Sequence, residues 1–300
     1  MTARRTTTAL AAAALLTLAT AACGGEEEAA APEPVPSDEL TFEAGTPMAE
    51  LAEQGSITVG TKFDQPLFGQ ANLEGDPEGF DVQIAQLIAS RLGIAEEDIE
   101  FVETVSANRE PFLEQGQVDM VVATYTINEE RDEVIDFAGP YYTAGQDILV
   151  PAGNPQGIEG PDDLAGVNVC SVSGSTPASN IQQNYPDAEL TLFDTYGDCL
   201  QALLNGQVEA ITTDNVILSG YVSENPDEVE LVGNPFTEEP YGIGVQQTED
   251  KVFCEWVNET LTEIYESGEW AEAFEATVGG VIEETPEPPA VGSCETPGAA

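Results

Sequence analysis

The chain has 300 residues, 41% of them hydrophobic and 7% aromatic, enough for two ordinary domains with a proper core. Its 56 Asp and Glu face only seven Lys and Arg, and the formal charge of −49 argues against nucleic acid or an anionic lipid surface as partner. Histidine is absent, which removes His-activated nucleophiles, His-ligated zinc and the usual general base, and lowers the expectation of catalysis. Without histidine, no unperturbed side chain titrates between about pH 5 and 8, so a flat pH response is expected there.

The first residues, MTARRTTTALAAAALLTLATAAC, carry Arg4 and Arg5, an Ala/Leu run and small residues before Cys23. This is the pattern of a secretory signal peptide over residues 1–22. The small residues before Cys23, with Gly24 and Gly25 after it, resemble a bacterial lipobox, although Thr20 stands where lipoboxes usually carry Leu. A lipidated Cys23 accounts for an unpaired fifth cysteine; ordinary cleavage at the Ala-rich site is the alternative. Residues 23–55 are acidic and rich in Ala and Pro, which predicts a flexible tether between a membrane anchor and the body, with a short helix near Met48–Gln54.

The body starts with the strand SITVGT. GFDVQIAQLIASRLG follows with Val82, Ala85, Ile88 and Leu92 at helical spacing and Gly93 as a stop. IEFVET, the continuous apolar VDMVVAT, QDILV, GVNVCSV, ELTLFDT and VEAITTD are predicted strands. They alternate with helices, as in an α/β protein with mostly parallel sheets. The last run, EWVNETLTEIYESGEWAEAFEATVG, is predicted helical, with Trp256, Leu261, Ile264, Tyr265 and Trp270 as its packing stripe. Two segments, FLEQGQVDMVVATYT (112–126) and ALLNGQVEAITTDNV (202–216), share a helix, Gly-Gln-Val turn, strand and polar loop, as two related lobes would.

Export permits disulfides among Cys170, Cys199, Cys254 and Cys294. Three connectivities are open; pairing neighbours is the simplest, each bond worth about 3–4 kcal/mol on a chain-entropy model. With no CxxC and no histidine, no metal or cofactor is expected.

In open α/β sheets ligands sit beyond the carboxyl ends of strands. Apart from Arg4 and Arg5, the basic residues are Lys62, Arg91, Arg109, Arg131 and Lys251, and three of these fall in strand-end loops: Lys62, Arg109 and Arg131. Arg91, late in a helix, is explained by the helix dipole, and Lys251 is expected at the surface. Any one arginine in so acidic a chain is more simply a salt bridge, but three in equivalent places point to an anionic ligand. SGST, with Ser175 and Thr176, opens a helix and offers oxyanion donors, although by itself it reads as ordinary N-capping. Asp214 supplies the opposite charge, unless it merely caps NVILSGY. Carboxylates at one side and an ammonium at the other describe an amino acid.

GFDVQIAQLIASRLG, VDMVVATYTINEERDEVIDFAGPYY, GSTPASN and TTDNVIL together resemble the extracellular binding proteins of ABC importers for polar amino acids, over residues 56 to about 280. SANRE and KFDQP are similar to the glutamate-binding branch. The resemblance implies a two-lobed periplasmic-binding-protein-like fold (type II), closing by hinge motion about crossings near 145–153 and 240–246. Lobe 1 is then 56–146 plus 245–280, lobe 2 is 147–244, and 281–300 is a tail held by a disulfide. It further implies that Arg131 clamps the α-carboxylate with Thr124 and Thr126, that Thr176 adds a donor from the second lobe, and that Asp214 accepts the ammonium. Arg109 with Ser106, and more loosely Lys62, then hold a side-chain carboxylate. The implied protein is a monomeric, non-enzymatic carrier of L-glutamate, favoured over aspartate, serving a permease and ATPase. An enzyme on the same fold, such as a dehydratase, and a surface sensor are the competing readings.

Overall fold

A computed structural model of the chain describes residues 32–282 and 284–295, so the signal peptide expected over residues 1–22 and Cys23 lie outside the described residues. Helix α1 (Pro47–Gln54) starts with Thr46, whose hydroxyl accepts the Ala49 N–H, has proline in its first turn and stops at Gly55 with φ 71°. Its Met48 and Leu51 are buried. The Val35 N–H bonds the Ser90 carbonyl (2.8 Å), and Phe42 lies edge-on to Trp256. The tether expected over 23–55 is therefore docked on the body from Val35 onward. Leu40, Phe42, Met48 and Leu51 provide enough apolar surface to hold it there.

The chain then runs through β1 (Ile57–Thr61), a small antiparallel ribbon of β2 (Asp64–Gln65), β3 (Gly69–Ala71) and β4 (Pro77–Glu78), α2 (Phe80–Arg91) and β5 (Ile99–Glu103). There follow α3 (Arg109–Glu114), β6 (Met120–Val121), α4 (Glu129–Asp132) and β7 (Ile135–Ala144). The second lobe holds β8 (Gln146–Pro151), β9 (Asn168–Val172), α5 (Thr176–Asn184), β10 (Glu189–Phe193), α6 (Tyr196–Leu204), β11 (Ala210–Asp214), α7 (Asn215–Glu224) and β12 (Val229–Leu231). The chain returns with β13 (Glu239–Gln246), α8 (Val252–Ser267) and α9 (Glu269–Thr277).

Each lobe is built on a five-stranded sheet, in the orders β5-β1-β6-β13-β7 and β10-β9-β11-β8-β12. In each, one strand lies parallel to both neighbours (β1 between β5 and β6, β9 between β10 and β11), and the antiparallel partners are the strands next to the hinge. The two similar segments occupy equivalent places. Both turn through a left-handed glycine, Gly116 and Gly206. In both, the next residue, Gln117 or Gln207, donates back to its helix at 2.8 Å, and Asp119 or Glu209 donates to the neighbouring parallel strand at 2.8 Å. The strand-end loops that follow carry Thr124 and Thr126 in one lobe, and β11 ends at Asp214 in the other.

The first crossing is Gly145, between β7 and β8; a Cβ there would lie 2.8 Å from the Thr237 carbonyl. The second comes just before Glu239, because β13 pairs with β7 from Glu239↔Ala144 to Gln246↔Ile135. Lobe 1 thus resumes at Glu239, earlier than the expected residue 245, since the tyrosine-rich ladder Tyr241↔Tyr142 belongs to its sheet. The C-terminal helical run is two helices, broken at Gly268 with φ 89°. Neighbouring cysteines pair: Cys170–Cys199 ties β9 to α6, and Cys254–Cys294 ties the tail to α8. Lys251, expected at the surface, instead pairs with buried Asp136 (3.3 Å) and donates to the Cys294 carbonyl. Arg91 pairs with Glu269, joining α2 to α9.

Candidate functional site: the cleft between the lobes

The lobes are closed on each other. Gly174 of lobe 2 packs so tightly on Ala107 that a Cβ would sit 2.8 Å from its Cα. Thr176 Oγ1 lies 3.2 Å from Thr126 Oγ1 across the cleft. Between them, Ser106, Arg109, Thr124, Thr126, Ser175, Thr176 and Asp214 line one small cavity, so seven expected residues from four separate segments meet there. Gln65, Pro177, Tyr196, Thr213 and Ile217 complete the lining.

Lys62, just after β1, is buried behind this wall and donates to Ser106 Oγ at 2.9 Å. Arg109, at the start of α3 and 2% exposed, donates to the Ser106, Ala123 and Thr124 carbonyls. Its guanidinium sits 4.1 Å from the Tyr125 ring centre, a cation–π arrangement. Neither Lys62 nor Arg109 forms an ion pair among the described residues. Burial first, and then the nearby Arg109 charge, lower the Lys62 pKa to about 7.

Arg131 is positioned differently. Its Nε pairs with Glu110 (3.0 Å), Nη1 donates to the Thr126 carbonyl (2.6 Å), and Nη2 crosses the cleft to the Gly174 carbonyl (3.0 Å). It stands behind the cavity lining, and each terminal nitrogen keeps a second N–H. Burial lowers its pKa to about 10, so it stays protonated at neutral pH.

Asp214 ends β11 and makes no capping bond to α7, which disposes of the simpler explanation for it. Tyr241 donates to Oδ2 at 2.6 Å, while Oδ1 is buried and has no hydrogen-bond partner among the described residues. Burial, reinforced by nearby Glu239, raises its pKa to about 7. Ser175, by contrast, spends its hydroxyl on capping: it accepts the Ala178 N–H and donates to the Val172 carbonyl. Thr176 donates to Glu239 Oε2 at 2.8 Å.

Several partners were missed in the sequence. Asp81, fully buried on α2, accepts the Thr124 N–H (2.7 Å) and the Tyr141 hydroxyl (2.6 Å). It thereby braces Thr124, whose φ of 43° is strained for a β-branched residue. Tyr125, Tyr241 and Glu239 were not singled out, and no local signal marked them. Burial also raises the Asp81 pKa to about 7. Against the flat pH response expected from the missing histidine, burial places the pKa of one lysine and two aspartates near 7. The signs differ: below pH 7 Asp214 takes up a proton and becomes neutral, while above it Lys62 gives one up and loses its charge. Affinity for an acidic amino acid should therefore peak near pH 7, whereas a neutral one should show only the acid limb. Calorimetry from pH 5 to 9 checks this.

Two α/β lobes, joined by two crossings and closed over a charged cleft, make this a bilobed solute receptor. The chain belongs to the bacterial extracellular solute-binding proteins, family 3, whose pattern it matches over residues 57–279. It is similar to the glutamate-binding protein GluB of Corynebacterium efficiens, with 37% identity over 79% of this chain and 83% of that protein. It is also similar to the ABC transporter glutamine-binding protein GlnH of Bacillus subtilis, with 38% identity over 76% of this chain and 82% of that protein. Among solved structures, the solute receptor for L-cysteine of Neisseria gonorrhoeae superposes with a TM-score of 0.75 at 31% identity, over 81% of this chain and 98% of that one. The chain is an amino-acid-binding protein of the ABC-importer type, and these curated relatives are binding proteins, not enzymes.

Proposed function

We propose that this protein captures an acidic amino acid, L-glutamate in preference to aspartate, and delivers it to an ABC permease and ATPase from an extracytoplasmic position anchored by a lipid on Cys23. One observation carries the choice of ligand. Lys62 and Arg109, both buried and both without a carboxylate partner among the described residues, converge on Ser106 beside the cleft. A desolvated cation without a counter-charge is costly, and a side-chain carboxylate entering there removes that cost. In this reading Asp214 Oδ1 accepts the α-ammonium. Thr124, Thr126 and the free N–H groups of Arg131 take the α-carboxylate, with Thr176 and the backbone at Ser175 facing them from lobe 2.

Calorimetry of residues 23–300 against the common amino acids tests the reading. Glutamate should bind at least tenfold more tightly than glutamine; equal affinities would overturn the assignment in favour of a neutral ligand. The placement of the cations gives a kinetic expectation as well. The five described basic residues are all in the cleft or in ion pairs, so the exterior of this −49 chain repels an anion. Stopped-flow association of glutamate should quicken as salt rises from about 0.01 to 0.5 M, while that of zwitterionic glutamine stays nearly constant.

A further inference from the structure

We infer that Asp64 is a closure latch that sets affinity without touching the ligand: its carboxylate reaches from the lobe-1 ribbon onto the first turn of α6 in lobe 2. Asp64 Oδ2 accepts the main-chain N–H of Tyr196 at 2.8 Å and of Gly197 at 3.1 Å. A carboxylate suits that place, because the first N–H groups of a helix lack internal partners and carry partial positive charge. The cap residue of α6, Thr195, serves the Asp198 N–H instead, so its bonds do not compete with those of Asp64.

The same ribbon is engaged at two further points. The Tyr221 hydroxyl of α7 donates to the Asp64 carbonyl at 2.7 Å, and Gln70 donates to Glu224 at 2.9 Å. Gly220 of α7 lies against Pro66, where a Cβ would meet its carbonyl oxygen at 2.8 Å. Asp64 does not line the cavity. The receiving helix is also held firmly, since Cys199 of α6 is bonded to Cys170 of β9. A pull on the start of α6 is thus a pull on the whole second sheet. These bonds tie lobe 1 to lobe 2 in the closed form, so in this inference they favour closure whatever amino acid is present.

The test uses residues 23–300 with Asp64→Ala, and independently Gly220→Ala, which wedges the same contact from the lobe-2 side and suits a helix interior. X-ray scattering of each unliganded variant should show a more extended particle than the wild type. Dissociation rates should rise about tenfold or more in both variants, as loss of charge-assisted bonds predicts, and by the same factor for L-glutamate and L-glutamine in Gly220→Ala, which leaves the Asp64 charge near Lys62 unchanged. An unchanged scattering profile, or a Gly220→Ala factor that differs between the two amino acids, would overturn the inference. Scattering needs no ligand, so an error in the choice of glutamate is distinguishable from an error about the latch.

Discussion

Asp214→Asn should lower the affinity for every α-amino acid by about 30-fold to several thousandfold, the cost of about 2–5 kcal/mol for breaking a buried charged pair. The asparagine keeps the shape and the contact with Tyr241, so the loss reports the charge opposite the ammonium. Calorimetry measures it; binding within about threefold of wild type would remove Asp214 from the site. The same substitution should stabilise the unliganded protein. With its pKa raised from 3.8 to about 7, folded Asp214 holds a proton that the unfolded chain has released, so its contribution to stability falls as pH rises from about 4 to 7. Above pH 7 the fold carries a buried carboxylate with one oxygen unbonded. Removing that charge should raise the unfolding temperature at pH 8 while affinity collapses. Loss of affinity accompanied by a lower unfolding temperature would instead indicate damage to the fold.

Lys62→Met should reverse the ligand preference. Methionine, one atom shorter, keeps the unbranched apolar body of lysine but has no charge, and only Ser106 loses a donor. Affinity for glutamate should fall by about 30-fold or more, while that for glutamine stays level or rises, because a buried cation without a partner has been removed. An unchanged ratio of the two affinities would sink the assignment of Lys62 to the side-chain carboxylate. Arg109→Ala is expected to behave less cleanly. Arg109 holds the Ala123 and Thr124 carbonyls and lies on Tyr125, so truncating it should weaken glutamate most but glutamine as well.

Most of the fold was legible because its cues are local: helical spacing in 80–92, apolar strands, glycine stops and the paired helix–Gly–Gln–Val–strand segments. The location of the site was legible through scarcity, since an arginine at a strand end stands out in a chain with so few cations. Its partners were not legible, for a physical reason. Asp81 meets Thr124, Tyr241 meets Asp214 and Asp64 meets Tyr196 only after the lobes fold and close, and each looked ordinary in its own stretch of sequence. The docked segment was misread differently. Its acidic, Ala/Pro-rich composition hid Leu40, Phe42 and Met48, too few to form a core but enough to lie on one.

That docked segment fixes how the receptor explores its surroundings. Among the described residues its first hydrogen bond to the body runs from Val35 to Ser90, so with Cys23 as the proposed anchor residues 23–35 connect body to bilayer. Such a span reaches at most about 40 Å even when fully extended. The receptor is then confined to a thin shell, where a permease meets it at an effective concentration on the order of millimolar. In that regime delivery depends less on lateral pursuit than on how often the tumbling body presents its cleft to the membrane.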